Sequence, residues 1–410
     1  MGQYLQSTNT PHQCWMVVGH AVRVAQGLGF HLPESTFDLR SARDRELSRV
    51  IWHGCVLMDR VLSMTFGRPA MISKTLADAV PLPAMIDPEY LPEDASTPGV
   101  QPAGRPAMMA FFVNSLTLYK IINDILLELY MNDDQDDTKD ENGLPLYKPY
   151  ESLDLAAILK LDRALMAWGR NLPSYLKLSS PDSNINGMVY RQAIVCRARP
   201  VLSRLCLPDH TAEASRTGTA LDESLSQRVA MQCSILCLRS AHEIIQLIHS
   251  NLHTDDLSGP LPAWWYSILY VYTAATVLLA AYIRPTIQAE ITEYTVSTSW
   301  ARATEVLRAF ERLGQSAQRC VAALEILAVK VSQDSNPSES AEQNQNVPAT
   351  KRFQDQYEDA EGARRRENTE ERMQNANFDI GAFDNGEFDF NGFHIDLSDM
   401  SWLRVVPSDL

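Results

Sequence analysis

Two segments with helical periodicity, each followed by a glycine that can end a helix, lie between residues 10 and 70. The first begins after Thr10, a suitable N-cap, with Pro11 at the first helical position and Gln13 completing a capping box. Apolar residues then recur at helical spacing as far as Gly29, which can adopt the left-handed conformation found just beyond a helix. These local signals predict a helix between Thr10 and Gly29.

The second segment begins near Ser41 and is stopped by Gly67, with Pro69 two residues later. Apolar residues along it recur at helical spacing and are predicted to form its buried stripe: Leu47, Val50, Ile51, Met58, Val61 and Leu62. The pattern therefore predicts a second long helix that packs against the first.

Helical patterns continue through the chain as far as about residue 330, whereas alternating β-type runs are few. Four further stretches are predicted to be long helices: Ala107–Met131, Leu153–Leu172, Leu221–His249 and Thr298–Val331. Because the chain has 410 residues and 45% of them are hydrophobic, it can bury a substantial core. We predict an all-α, multi-helix domain over residues 1–330.

The segment Trp264–Ile283 has twenty residues without a charge, which is long enough to span a bilayer. Its aromatic residues cluster at one end, as they do at membrane interfaces. Ser267, Thr273 and Thr276 dilute its apolar character, however. We therefore favour a central buried helix over a membrane span and expect no membrane association.

Sequence motifs for catalysis are absent from the chain. It contains no Gly-x-Ser-x-Gly, His-Glu-x-x-His, phosphate-binding loop or dinucleotide fingerprint, and its nine histidines are dispersed. Its seven cysteines include no Cys-x2-Cys pair, and Cys233 and Cys237 lie four apart in an apolar run. We interpret these as core thiols rather than metal ligands. The sequence predicts a protein that is not an enzyme and assigns no catalytic, cofactor-binding or metal-binding residue.

Four stretches together resemble one known family. The stretches Cys14–Gly29 and Ile51–Arg60, followed by Gly67-Arg68-Pro69 and Asp78–Pro83, are similar to the middle homology region of fungal zinc-cluster transcription factors. The similarity is sharpest over residues 10–83 and weaker as far as about residue 330. It implies an all-helical regulatory domain without an accepted catalytic role.

The resemblance implies structural roles for the matched residues, which are Trp15, Gly29, Trp52, Asp59, Arg60, Gly67, Arg68 and Pro69. Asp59 and Arg60 are expected to form an ion pair near the end of a helix. Arg68 is expected to stabilise the following turn by bonding to carbonyl groups or to an acid, and Pro69 to shape that turn.

The chain also departs from the family. Family members carry an N-terminal cluster in which six cysteines hold two zinc ions, and no such cysteine pattern occurs here. The chain begins later than the family domain, so we expect an N-terminally truncated domain. The run Tyr190–Leu202 resembles a longer family helix that is shortened before Arg199-Pro200, which leaves the packing of residues 190–207 open.

Binding to DNA by this chain itself is not expected. Affinity for DNA depends on a basic surface that releases counterions. The formal net charge here is −15, and no basic stripe interleaved with aromatic residues occurs. We therefore expect the chain to reach DNA only through a missing zinc-cluster module or through a partner.

The composition changes beyond residue 330. Residues 331–410 contain 17 acidic against 7 basic side chains, and this composition predicts a disordered tail. The linker, residues 331–375, contains two basic clusters that resemble a bipartite nuclear import signal: Lys351, Arg352, Arg364, Arg365 and Arg366. An ordinary charged helix is the alternative. The import interpretation predicts a nuclear protein.

Residues 376–410 alternate acidic and large apolar side chains, which is typical of an acidic activation domain. The residues expected to contact a coactivator are Phe383, Phe388, Phe390, Phe393, Leu397, Trp402 and Leu403. Such a segment can fold when it binds the groove of a coactivator. The alternative is that it packs back onto the helical body.

Taken together, the sequence predicts the regulatory and activation portion of a fungal transcription factor. The alternative is a stand-alone helical coregulator that dimerises with an intact family member. A homo- or heterodimer partner and a small-molecule inducer in the helical core are both expected from the resemblance, and no residue identifies the inducer.

Overall fold

The computed structural model describes residues 1–8, 10–32, 41–93, 99–130, 155–177, 185–206, 225–252, 261–283, 287 and 293–335. Within these ranges the chain forms α-helices and two short 3-10 helices, Pro88–Tyr90 and Ser174–Leu176, and no strand. The α-helices are α1 Gly2–Gln6, α2 Pro11–Gly27, α3 Ala42–Phe66, α4 Lys74–Asp78, α5 Met108–Leu129, α6 Leu155–Asn171, α7 Ile185–Cys206, α8 Leu225–Ser250, α9 Trp264–Ile283, α10 Glu293–Phe310 and α11 Gln315–Ser335. The predicted all-α fold class is confirmed.

Local capping sets both ends of α3. The hydroxyl oxygen of Ser41 accepts a hydrogen bond from the amide of Asp44 at 3.0 Å, so one of the free amides at the helix start is satisfied. At the other end Gly67 has φ +61°, the left-handed conformation in which glycine is favoured. Both predicted ends of this helix are therefore confirmed.

The predicted capping box at the start of α2 is wrong. Thr10 precedes the helix as expected, but its hydroxyl makes no cap bond and lies 2.6 Å from the hydroxyl of Thr8. The other end follows the prediction, since Gly29 has φ +81°. There the amide of Phe30 donates to the carbonyl of Ala25 at 3.0 Å, which is the long bond of a Schellman motif.

The core has two large parts that share α3. The smaller part lies between α2, α3 and the segment after α3. The larger part is formed by α5 to α11 and includes Val61 and Met64 from the other side of α3. Because α3 is covered on two sides, its buried positions are not one narrow stripe. Leu47 is 55% exposed and Ile51 39% exposed, so these two members of the predicted stripe are corrected.

Helix α9 lies at the centre of the larger core, in contact with α7, α8, α10 and α11. Every residue from 267 to 280 is buried. The hydroxyls of Thr273 and Thr276 donate to carbonyls of their own helix at 2.9 Å, which satisfies them without water. The prediction of a central buried helix is confirmed.

In the part of the chain that the structure describes, α5 is the helix that is long and apolar enough to cross a membrane. More than half of its most apolar window is buried against the rest of the chain. Length and composition alone do not separate a membrane span from a core helix, so this observation is weak support for a membrane span.

The predicted helix Thr298–Val331 is two helices, α10 and α11, joined by a turn over residues 311–314. Gly314 lies against the indole of Trp264, and a Cβ atom there would be 2.8 Å from Cη2. This close approach requires a residue without a side chain. Helix α11 continues to Ser335, a few residues into the segment predicted to be a linker.

Helix α7 is continuous through Pro200. A proline has no amide hydrogen, so the carbonyl of Cys196, four residues earlier, loses its helical donor. The hydroxyl of Tyr130 donates to that carbonyl at 2.7 Å. The part of this region as far as Cys206, whose packing was left open, therefore lies in a helix in which a side-chain hydrogen bond replaces the missing backbone bond. The helix contacts α5, α6, α8 and α9.

Candidate functional site

The family-matched residues of α2 and α3 converge on the turn that follows α3. Asp59 lies near the end of α3 and is 2% exposed. Its carboxylate accepts hydrogen bonds from the amides of Met71 and Ile72, both at 2.9 Å. The carboxylate of Asp59, two turns before Gly67, thus binds the backbone at Met71 and Ile72, where the chain has already reversed direction.

Arg60 completes this arrangement, and the predicted ion pair is present. Its Nη1 lies 3.2 Å from the Asp59 carboxylate, and its Nη2 donates to the carbonyl of Ile72 at 2.6 Å. Burial lowers the pKa of the Arg60 guanidinium, and the neighbouring charge of Asp59 opposes that shift. We call Asp59, Arg60, Met71 and Ile72 the turn node.

The structure corrects the role predicted for Arg68. The guanidinium that bonds to a carbonyl after the turn belongs to Arg60, whereas that of Arg68 lies over the ring of Trp15, 4.8 Å from its centroid. This cation–π contact joins the turn to α2. Gly67 and Pro69 lie in the exposed part of the turn.

His53 joins α3 to the segment after α4. Its Nε2 lies 3.1 Å from the carbonyl oxygen of Val80 and 3.0 Å from that of Pro81. Because both partners are acceptors, Nε2 carries a proton. Burial lowers the pKa of His53, while the two backbone hydrogen bonds and Asp78 raise it by less. The neighbouring Trp52 is fully buried, with its ring 5.9 Å from that of His31.

A cleft of about 450 Å³, measured to include the part open to solvent, lies beside the turn node. Its wall includes His53 and Arg60, and three further lining residues take part in two ion pairs: Lys74, Asp78 and Lys120. Lys74 contacts Asp124 and Lys120 contacts Asp78, each at 2.7 Å. The charges of these four side chains are thus neutralised in pairs.

No group of three or more His, Cys, Asp or Glu side chains that could hold a metal ion occurs among the described residues. All seven cysteines are free thiols, and six of them are buried, including Cys233 and Cys237. The interpretation of these two cysteines as core thiols agrees with their burial.

The candidate import residues (351, 352 and 364–366) and the candidate activation residues (383–403) lie outside the described residues. Both assignments remain predictions. Conversely, the hydrogen bonds between His53 and the carbonyls of Val80 and Pro81 were not predicted from the sequence. His53 stands six residues before Asp59 on the same helix, but its partners are backbone carbonyls, which leave no signal in side-chain composition.

Residues 1–170 match the family model described as "Fungal specific transcription factor domain". Residues 1–170 are thus similar to the fungal specific transcription factor domain. They include the whole turn node, the contact between Arg68 and Trp15, and the cleft, so the site lies within the matched region. The resemblance on which the sequence interpretation was based is confirmed.

Three relatives extend this result. "Sorbicillinoid biosynthetic cluster transcription factor 2" of Penicillium rubens is 27% identical over 348 residues, covering 82% of this chain and 46% of that protein. "Sorbicillinoid biosynthetic cluster transcription factor sor3" of Hypocrea jecorina is 26% identical over 348 residues, covering 81% and 44%. "Zn(2)-C6 fungal-type transcription factor pigI" of Monascus ruber is 30% identical over 101 residues, covering 25% and 12%. The chain spans less than half the length of these relatives, and no solved structure matches it.

Proposed function

We propose that this chain is the regulatory portion of a fungal transcription factor and controls transcription of target genes. The observation that carries the proposal is the match of residues 1–170 to the fungal specific transcription factor domain. Similarity to proteins named as transcription factors covers about four-fifths of the chain. The turn node and the cleft supply packing and paired charges, in keeping with a regulator that performs no chemical step.

DNA recognition in this proposal comes from a zinc-cluster module, with its two zinc ions, supplied outside the described residues or by a partner protein. The reason is electrostatic, because the chain has a formal net charge of −15 and would be repelled by a polyanion. The helical body then acts by restraining or presenting other segments rather than by contacting bases.

The acidic segment 376–410 supplies the contact with a coactivator in this proposal. Like charges keep its aromatic side chains in water until a groove binds them. The basic clusters at 351–352 and 364–366 bring the chain to the nucleus.

The proposal is tested with the full chain fused to an unrelated DNA-binding domain upstream of a reporter gene. A second fusion carries only residues 376–410, and a third carries that segment with Phe388, Phe390, Trp402 and Leu403 changed to Ala. We expect activation by the segment, its loss in the alanine variant, and weaker activation by the full chain if the body restrains the tail.

Two outcomes contradict the proposal. Absence of activation from every fusion would remove the activator role and favour the coregulator alternative. That alternative predicts instead that the chain co-purifies with an intact family member and acts only when that partner is present.

A fluorescent fusion of the full chain that remains cytoplasmic would contradict the nuclear assignment. A variant with Arg364, Arg365 and Arg366 changed to Ala tests which residues direct import.

A further inference from the structure

Charged side chains are rarely buried, and among the described residues four of them are: Asp59, Arg60, Arg197 and Arg199. Three of the four are paired. Asp59 and Arg60 contact each other, and Nη2 of Arg197 lies 2.9 Å from the carboxylate of Asp162 on α6. Arg199 is 2% exposed, and its Nε and Nη2 have no hydrogen-bond partner. It is the buried cation left without a counter-ion in this part of the chain.

The two nitrogens of Arg199 that lack a hydrogen-bond partner, Nε and Nη2, form one edge of the guanidinium group. Nε–H and Nη2–H point in parallel, and this edge is the one that a carboxylate occupies when it binds an arginine side-on through two hydrogen bonds. Leaving both donors of a buried cation unpaired is strongly unfavourable, because the desolvation of the charge is not offset. The unpaired edge of Arg199 therefore favours the binding of an anion.

The described titratable groups on which the charge of Arg199 acts do not supply a negative charge. Its charge acts on Cys196 of α7, Cys237 of α8 and Tyr272 of α9. Burial raises the pKa of Cys196, that of Cys237 to about 12, and that of Tyr272, and Arg199 opposes each shift only in part. All three groups are thus neutral near pH 7. Asp162, whose carboxylate bonds to Arg197 on the same helix as Arg199, already has a partner.

Further polar groups lie on the same face of α7. Gln192, Cys196 and Arg199 are spaced by four and three residues, so they lie one above another along the helix. Gln192 is buried. Its side-chain oxygen lies 3.2 Å from the hydroxyl of Thr273 on α9, and its nitrogen lies 3.7 Å from the sulfur of Cys196. Polar groups thus form a stripe along this face of α7 within an apolar core, and Arg199 lies at one end of it.

We infer that Arg199 anchors a binding site for a small organic carboxylate between α7, α8 and α9, held side-on by Nε and Nη2. Gln192 of the stripe and the neighbouring Thr273 of α9 are the polar groups that can orient the rest of the ligand. Binding there joins three helices of the larger core, so occupancy stabilises the helical body. The inference goes beyond the proposed function and does not depend on it, because binding is measured on the purified chain without a promoter.

The test uses the purified full chain titrated with the sodium salts of acetate, succinate and citrate. Sodium chloride at matched ionic strength and inorganic phosphate are the controls. Thermal unfolding and calorimetry report binding. Arg199→Met removes the guanidinium, Arg199→Lys keeps the charge but loses the paired donors, and Arg191→Met is the matched control. Arg191 lies on the same helix but is not part of the stripe, and its Nε lies 2.6 Å from the carboxylate of Glu243.

We expect at least one carboxylate to bind the wild-type chain saturably and to raise its unfolding temperature, and Arg191→Met to retain that response. Arg199→Met should weaken binding by roughly thirtyfold or more, since a buried charge pair is lost. Without ligand, Arg199→Met should unfold at the same temperature as the wild type or higher, because an uncompensated charge has been removed. If Arg199→Met does not fold, the comparison rests on Arg199→Lys, which should bind more weakly than the wild type.

Three results would overturn the inference. The first is the absence of saturable binding by any of the carboxylates beyond the chloride control. The second is equal carboxylate affinity in the wild type and in both Arg199 variants. The third is binding of phosphate but of no carboxylate, which would contradict the ligand class. Reporter activity of the fusions can fail while carboxylate binding persists, so failure of this inference and failure of the proposed function are distinguishable.

Discussion

The substitution Asp59→Asn removes the negative charge of the turn node while keeping the shape of the side chain. In the wild type the carboxylate accepts from the amides of Met71 and Ile72 and pairs with Arg60 at 3.2 Å. An asparagine offers one acceptor oxygen and replaces the other with a donor. One amide therefore loses its partner, and the buried guanidinium of Arg60 loses its counter-ion.

The expected cost follows from that burial. Asp59 is 2% exposed and Arg60 5% exposed, so solvent cannot replace the lost partner. Breaking a buried ion pair by removing one member costs about 3–5 kcal/mol. Because the unfolding entropy scales with length, this cost lowers the unfolding temperature of a domain of about 330 residues by roughly 4 to 7 °C. The unfolding temperature and the urea midpoint of the purified chain measure the effect.

The matched control is Asp124→Asn, because Asp124 also pairs with a basic residue, Lys74, at 2.7 Å but at the surface. The Lys74 side chain is 49% exposed, and such pairs contribute about 0–1 kcal/mol. The double variant Asp59→Asn with Arg60→Met should recover part of the loss, since the unpaired cation is removed with its partner. Equal, small effects of Asp59→Asn and Asp124→Asn would refute the argument that the turn node stabilises the domain.

Three other predictions concern single contacts. Gly314→Ala should destabilise the chain by about 1–3 kcal/mol, because the new Cβ would lie 2.8 Å from the ring of Trp264; an unfolding temperature equal to that of the wild type would contradict this contact. Tyr130→Phe removes the donor to the carbonyl of Cys196 and should cost about 1–3 kcal/mol by urea unfolding, and a neutral result would mean that the carbonyl finds another donor. Burial lowers the pKa of His53, so the unfolded chain binds more protons below about pH 6.5, and stability should fall as the pH falls through that range. His53→Gln keeps an N–H donor and should flatten the dependence of unfolding temperature on pH between 7.5 and 5; an unchanged slope would exclude His53 as a contributor.

Several features of the fold could be predicted from the sequence because they depend on residues a few positions apart. Ser41 caps the amide of Asp44, and Gly67 takes the left-handed conformation, so both ends of α3 follow from local chemistry. The uncharged composition of α9 similarly indicates burial on all sides, as found. In each case the signal lies within one turn of the helix or in the composition of one segment.

The contacts of the candidate site could be predicted only in part. The pairing of Asp59 with Arg60 was expected, yet its bonds to Met71 and Ile72 were not, and the carbonyl contact expected of Arg68 belongs to Arg60. Which cation reaches a given carbonyl depends on the path of the chain beyond Gly67, and no spacing within α3 encodes that path.

The sequence by itself therefore determined the helical class, the caps at Ser41, Gly29 and Gly67, and the buried central helix, since helix formation and capping depend on neighbours along the chain. Only the tertiary structure decided that α10 and α11 are separate helices. It also decided that Leu47 faces solvent while Arg199 lies unpaired in the core. These outcomes depend on which distant segment covers each position, and on which partners that segment provides.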